Sequence, residues 1–287
     1  MTKSDRNLHD LAWCLSSASL ISPLEENWKE PDWFNSVSLP NEIEEPGKNS
    51  YKLGIRFEDI ICNWIEATPD LELVARNLAV HDGERTIGEF DLLVKHEEQI
   101  EHWELAVKFY LGLNDQRQLD NWFGPDPSDT LAAKFNRVRS HQLKLSEHPA
   151  AQSLLKENGW EISQTRAFVK GRLFHPYNAF RHREFDYPRE VNENHEKGWW
   201  MTDTGFELQE DLRDGLFTIL DKPFWLAPMT RDLEYVVMSH AEILRYLSSE
   251  ETGGTLHVAR LDGDLNELSR GFIVLNQWVS AVYRQTP

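Results

Sequence analysis

The sequence predicts an α/β fold, a mixed central sheet flanked by helices with an α+β extension at the C-terminal end, on three observations. Residues 55–67 repeat apolar side chains at helical offsets. The runs Thr86 to Lys95 and His102 to Leu111 alternate apolar and polar side chains as two strands do. A helical stretch from 128 to 158 leads through Gly159 into a further strand near Thr165 to Leu173. With 287 residues, 40% of them hydrophobic, and 11 tryptophans, the chain has ample apolar surface for a core and is not generally disordered.

In chain order, Leu11, Ala12, Trp13, Leu15, Leu20 and Ile21 mark a short amphipathic helix, which His9, Asp10 and several serines keep from resembling a secretion signal. No uncharged run approaches the roughly 20 residues of a membrane span, so a soluble, cytoplasmic protein without a membrane partner is expected. Residues 22–50 carry Pro23, Pro31, Pro40 and Pro46 among Glu25, Glu26, Glu42, Glu44 and Glu45, and read as an irregular crossing. In the helix that follows, Phe57, Ile60, Ile61, Trp64 and Ile65 form one stripe, with Arg56, Asp59, Asn63 and Glu66 opposite and Thr68-Pro69 as the stop. Leu71 to Val80 reads as a strand and His81-Asp82-Gly83 as a turn.

Along the next strand Ile87, Glu89, Asp91 and Leu93 share one face, and Gly88, Phe90, Leu92 and Val94 the other. Its partner turns Trp103, Leu105, Val107 and Phe109 one way and His102, Glu104, Ala106, Lys108 and Tyr110 the other, an antiparallel hairpin. After Gly124-Pro125-Asp126-Pro127, Ser128 or Asp129 caps a helix running to about Leu145, and a second helix covers Ala150 to Asn158. Beyond about 186 the composition turns acidic and Trp-rich (Trp199, Trp200, Trp225). Strands are expected at Glu234 to Met238, Leu256 to Leu261 and Gly271 to Leu275, with a helix at Ala241 to Ser248 capped by Ser239. The resulting division is 1–50, an N-terminal helix and Pro/acid-rich segment; 51–185, an α/β core; and 186–287, an α+β region packed on it.

The net charge of −18 argues against a protein that coats nucleic acid, but the charge is unevenly spread. Lys134 to Arg183 holds ten Lys and Arg against three acids (Glu147, Glu157, Glu161), a local +7. Such an island suits a polyanion at one face. Within it Lys134, Arg137, His141 and Lys144 follow offsets of three and four and form one cationic stripe, with Gln142 beside it. Phe168, Phe174 and Tyr177 are available for base stacking or for the core. Cys14 and Cys62 lack any CxxC or His-Cys cluster and read as core thiols. No glycine-rich phosphate loop, GxSxG elbow or HExxH is present, and the pairs His141/His148 and His175/His182 have no third ligand at metal-site spacing.

Phosphodiester hydrolysis needs a hard divalent ion on oxygen ligands, an activated water and positive charge near the phosphate. Asp91 and Glu104, on the polar faces of neighbouring strands, can converge to hold such an ion. Lys108 shares the face of Glu104, and Glu58 on the preceding helix can join them. Each residue also has a plainer reading: solvent-facing charge for the acids, a cross-strand ion pair for Lys108.

A helix with an acid, a strand with Asp, a strand with an acid and a Lys, then a helix: this order resembles the PD-(D/E)XK nuclease superfamily over about residues 50–175. The segments Ile87-Gly88-Glu89-Phe90-Asp91 and His102 to Gly112, with the Phe123-Gly124-Pro125 turn, resemble a bacterial family of unknown function, domain of unknown function 1853, over nearly the whole chain. The resemblance implies a restriction-endonuclease-like core and Mg²⁺- or Mn²⁺-dependent cleavage of nucleic acid. Asp91 and Glu104 would be the metal ligands, Glu58 a further site acid, and Lys108 would orient the attacking water. Lys134, Arg137, His141, Gln142 and Lys144 would bind phosphate. The chain departs from the pattern at Ala106, where an acid should precede Lys108 by two residues; Glu104 lies four before it, ~13 Å along an extended strand in place of ~6.6 Å. Either Glu104 or Glu89 reaches the metal from a shifted place, or the fold is a catalytically inactive binding module for nucleic acid or for a protein partner met by the Trp-rich C-terminal region.

Overall fold

The computed structural model describes residues 3–23, 25–31, 33–34, 39–44, 51–249 and 254–285; Glu45 and Pro46 of the expected irregular crossing lie outside them. Helix α1 (Lys3–Ser16) precedes the crossing, and α2 (Leu53–Glu66) follows it. Three antiparallel strands come next, β1 (Leu71–Asp82), β2 (Arg85–His96) and β3 (Gln99–Gly112), with a short β4 (Trp122–Phe123) folded back on the end of β3.

The chain then crosses through α3 (Leu131–Ser140), a 3₁₀ segment (Gln142–Glu147) and α4 (Pro149–Glu157) into β5 (Ile162–Pro176), which lies parallel to β3 over twelve residue pairs. A parallel neighbour needs such a crossover, because a tight turn can only reverse the chain. After α5 (Tyr177–His182) come β6 (Glu196–Thr202), α6 (Asp203–Leu208), β7 (Leu216–Ile219), β8 (Met238–Ser239), α7 (His240–Leu247), β9 (Thr255–Leu261), β10 (Glu267–Val274) and α8 (Asn276–Gln285).

The strands form one mixed sheet in the order β1-β2-β3-β5-β6-β10-β9-β7-β8, with β4 appended to β3. The expected boundary near 186 falls in the crossover between β5 and β6, two hydrogen-bonded neighbours. Trp199 is buried in β6, Trp278 is buried in α8, and Trp200 and Trp225 pack against the core. The tryptophans of this region are therefore part of the packed fold. The strand expected at 234–238 shrinks to the two residues of β8.

Strand β3 has apolar layers on both faces, and its alternation explains both. Trp103, Leu105, Val107, Phe109 and Leu111 join the α2 stripe in one cluster, while Ala106 and Tyr110 join Leu131, Phe135 and Val138 of α3 in another. Strand β5 approaches so closely that a Cβ at Gly171 would stand 1.7 Å from the Lys108 carbonyl oxygen, and Gly171 itself has φ +143. Only glycine fits there.

The polar face of α2 is turned to solvent only toward its C-terminal end, at Glu66. Arg56 and Asp59 are buried, and Arg56 Nη2 stands 2.6 Å from Asp10 Oδ2, while Arg6 Nη2 meets Asp10 Oδ1 at 2.9 Å. Asp10 also accepts from the Ala227 N–H, at 3.3 Å. One carboxylate thus ties α1 and α2 to the C-terminal half, and its removal leaves two buried guanidiniums without their acid. Asp10→Ala should destabilise the protein by about 3–5 kcal/mol in urea unfolding; a change below about 1 kcal/mol would show that this network is dispensable.

Candidate active site

Pairing between β2 and β3 runs from His96/Gln99 to Leu92/Trp103, and among the described residues it goes no further. The strands part at Asp91. The Leu105 N–H, which another rung would give to a carbonyl, is bound instead by Asp91 Oδ2 at 2.9 Å. On the other side of β2 the ladder passes from Arg76/Leu92 to Leu78/Phe90, skipping Asn77 at φ +50 opposite Asp91. Asparagine tolerates this left-handed conformation better than most side chains. The kink also breaks the expected alternation of β2: Phe90 and Leu93, an odd interval apart, pack in one cluster.

Glu104 lies across from Asp91 on β3. It is 1% exposed, and its two oxygens have different fates. Oε1 accepts from Lys134 Nζ at 3.3 Å and from the Gln142 amide, whose own oxygen also meets Lys134 Nζ. Oε2 is buried without a protein donor. The Glu104 and Asp91 carboxyls lie close enough to act on each other directly, and two carboxylates share a hydrogen bond only with a proton between them. Burial first, and then the Asp91 charge, push the Glu104 carboxyl up to about 8, against the pull of Lys134. Burial also raises Asp91, while the Leu105 N–H, Lys134 and Arg137 hold it down. Burial and the neighbouring carboxyl therefore both favour the protonated form of Glu104.

The other expected site residues are dispersed. Glu58 sits within electrostatic reach of Asp91 and Glu89, which raise it after burial does, and stands 3.8 Å from Arg76, whose closer partner is Asp59 at 2.6 Å. Lys108 shares the face of Glu104, but its Nζ is 2.6 Å from Asp129 Oδ2, and Tyr110 donates to the other oxygen of Asp129 at 3.2 Å. Its ammonium is held away from the acids. Asp129 is not the cap expected of it either, because Thr130 caps α3 by accepting from the Ala133 N–H.

Nor is there a continuous cationic stripe. Helix α3 ends at Ser140, His141 turns the chain, and Gln142 and Lys144 belong to the 3₁₀ segment. That segment lies against β2, where a Cβ on Gly88 would come within 2.7 Å of Leu145 Cδ1. Lys134 and Gln142 therefore point at Glu104, and Arg137, His141 and Lys144 stay exposed. Part of the basic island is internal, Lys170 pairing with Glu30, Arg172 with Glu196 and Arg166 with Glu101, whereas Arg137, Arg139, Lys144, Lys156, Arg181 and Arg183 are exposed. Phe168, Phe174 and Tyr177 are buried in the core and offer no stacking surface.

The family model matching residues 9–274 decides the relationship. The chain belongs to the family described as Domain of unknown function (DUF1853). No curated protein and no solved structure matches it. In this DUF1853 chain no three His, Cys, Asp or Glu side chains among the described residues are grouped to hold a metal ion by themselves. The Asp91–Glu104 pair offers hard carboxylate oxygens, of which Glu104 Oε2 is buried without a protein donor. That set suits an ion such as Mg²⁺, which is often held by one or two carboxylates and completes its shell with water and phosphate oxygens. Among the described residues no helix is long and apolar enough to cross a membrane.

The raised Glu104 carboxyl has a consequence for stability. Folding tightens its hold on a proton, so its contribution is full below the ordinary value of 4.5 and is lost as pH rises through about 8. In EDTA, urea unfolding of Glu104→Gln should lose this slope and show a gain on the order of a few kcal/mol at pH 8.5 relative to wild type. Parallel pH profiles for the two proteins would contradict the shared proton.

Proposed function

We propose that the protein is a divalent-metal-dependent phosphodiesterase acting on nucleic acid, with Asp91 and Glu104 as its metal-binding carboxylates. The observation that carries this reading is the placement of a buried carboxyl pair where β2 and β3 part, with Lys134, Gln142 and Arg137 gathered around it. Buried like charges are unfavourable unless a proton or a cation sits between them, and perturbed carboxyls of this kind concentrate at functional sites. The succession of α2 with Glu58, β2 with Asp91, β3 with Glu104 and Lys108, and then α3 adds support, since it is the order by which the sequence resembles the nuclease superfamily.

When bound, the ion would acidify a water and screen the phosphate. Hydrolysis then joins the water oxygen to phosphorus and breaks the bond to the leaving sugar oxygen. One water proton ends on that oxygen, the other on the new phosphomonoester or solvent. Asp91 and Glu104 must give up their shared proton for the ion, so affinity should rise with pH toward about 8. Substrate phosphate would meet Arg137, whose charge already reaches Asp91. The net charge of −18 should confine contacts to the neighbourhood of the exposed cations Arg137, Arg139 and Lys144.

The test is cleavage of single-stranded, duplex and branched DNA and of RNA in Mg²⁺ or Mn²⁺, comparing wild type with Asp91→Ala. Metal-dependent cleavage that falls at least about 100-fold in the variant is expected. Two equally inactive proteins that bind no divalent ion by calorimetry would end the enzymatic reading and leave the binding-module alternative.

A further inference from the structure

Attack on a phosphodiester adds negative charge to the phosphoryl oxygens, and a site built on two carboxylates supplies none of the positive charge that must meet it. Two lysines lie on the α3 side of β3. Lys108 is neutralised by Asp129, which Tyr110 also anchors, and its position four residues from Glu104 puts its backbone ~13 Å along the strand. Its ion pair joins β3 to the residue before the α3 cap, a structural clamp between strand and helix.

Lys134 comes from the first turns of α3, 3.3 Å from Glu104 Oε1, with 16% of its side chain exposed. Its charge is also felt by Asp91. Space explains how it arrives there. Ala106, the next residue after Glu104 on this face, packs in one cluster with Leu131, Phe135 and Val138, the neighbours of Lys134 one turn away or adjacent on the helix. A methyl group at 106 lets α3 lie close to the sheet and leaves the region beside Glu104 to a side chain arriving from the helix. Gln142 then fixes the ammonium from the 3₁₀ segment with its amide oxygen, at 3.3 Å.

We infer that Lys134, entering over Ala106 from helix α3, is the charge-supplying lysine of this site, and that Lys108 is not. The inference rests on the phosphodiesterase reading above. It also makes Gln142 a positioning residue, holding Glu104 and Lys134 together.

The test uses the full chain as wild type, Lys134→Met, Lys108→Met and the double variant Ala106→Lys/Lys134→Met, with folding checked by circular dichroism. Two readouts are taken: Mn²⁺ affinity by paramagnetic resonance, and cleavage of the DNA and RNA panel at saturating Mn²⁺. Lys134→Met should lose about 100-fold in cleavage. It should bind Mn²⁺ as tightly as wild type or a few-fold tighter, because no ammonium competes for Glu104 Oε1. Lys108→Met should cleave within about fivefold of wild type while melting at a lower temperature. Ala106→Lys/Lys134→Met should recover at least about tenfold, the lysine having been returned to the strand. Full cleavage by Lys134→Met, or a loss confined to Lys108→Met, overturns the inference with the phosphodiesterase reading intact. A wild type that neither binds Mn²⁺ nor cleaves overturns that reading, and this one with it.

Discussion

A single hydrogen bond, from the Leu105 N–H to Asp91 Oδ2, stands where the β2–β3 ladder stops, and the local geometry follows from it. A backbone donor in a buried strand must be satisfied. Here it is satisfied by a carboxylate, so Asp91 is held at the parting of the strands facing Glu104. Burying Glu104 against another carboxyl is unfavourable unless a proton or cation joins them. Lys134 and Gln142 answer that demand from the crossover, on one oxygen only. The second oxygen is buried without a protein donor.

Charge elsewhere in the molecule is used for architecture. Asp10 joins α1 and α2 to the loop at Ala227. Buried Arg270 forks onto Glu267 and also donates to the carbonyls of Trp225 and Ala227, so it fixes the same loop from the sheet side. Lys170 and Arg172, two residues apart on β5, pair with acids that lie far away in sequence, Glu30 and Glu196. Breaking such pairs is costly although forming them contributes little net energy, so they act chiefly to fix which elements lie together.

Much of this was legible in the sequence, and what was not has identifiable physical causes. The α2 stripe and the alternation of β3 placed two layers correctly, because a period of 3.6 or 2 reports directly on which face is buried. The facing of Asp91 and Glu104 was legible for the same reason. Alternation could not show that β2 kinks at Asp91, since Asn77 on the neighbouring strand is part of that kink. It also could not show which lysine meets Glu104. Strand spacing makes Lys108 the candidate, whereas a long side chain reaching from a packed helix is a tertiary fact; the small Ala106 was the available clue. Counting charges over 134–183 could not separate Arg166, Lys170 and Arg172, paired on β5, from exposed cations such as Arg137 and Lys144, because both kinds count the same. The helix expected to reach Leu145 breaks at His141, and only this break brings Gln142 to Glu104. Strand β6 and helix α8 went unread, the former because both its faces are covered and its tryptophans break any alternation.

The central claim is that Asp91 and Glu104 together receive one divalent cation. Its most direct measurement is anomalous diffraction from crystals of the full chain soaked in Mn²⁺ at pH 8. A peak within coordination distance, roughly 2.0–2.3 Å, of oxygens from both carboxylates is the expected result, with Lys134 displaced from or sharing Glu104. A fully occupied Mn²⁺ site elsewhere with nothing between these two carboxylates, or no site at all, would contradict it.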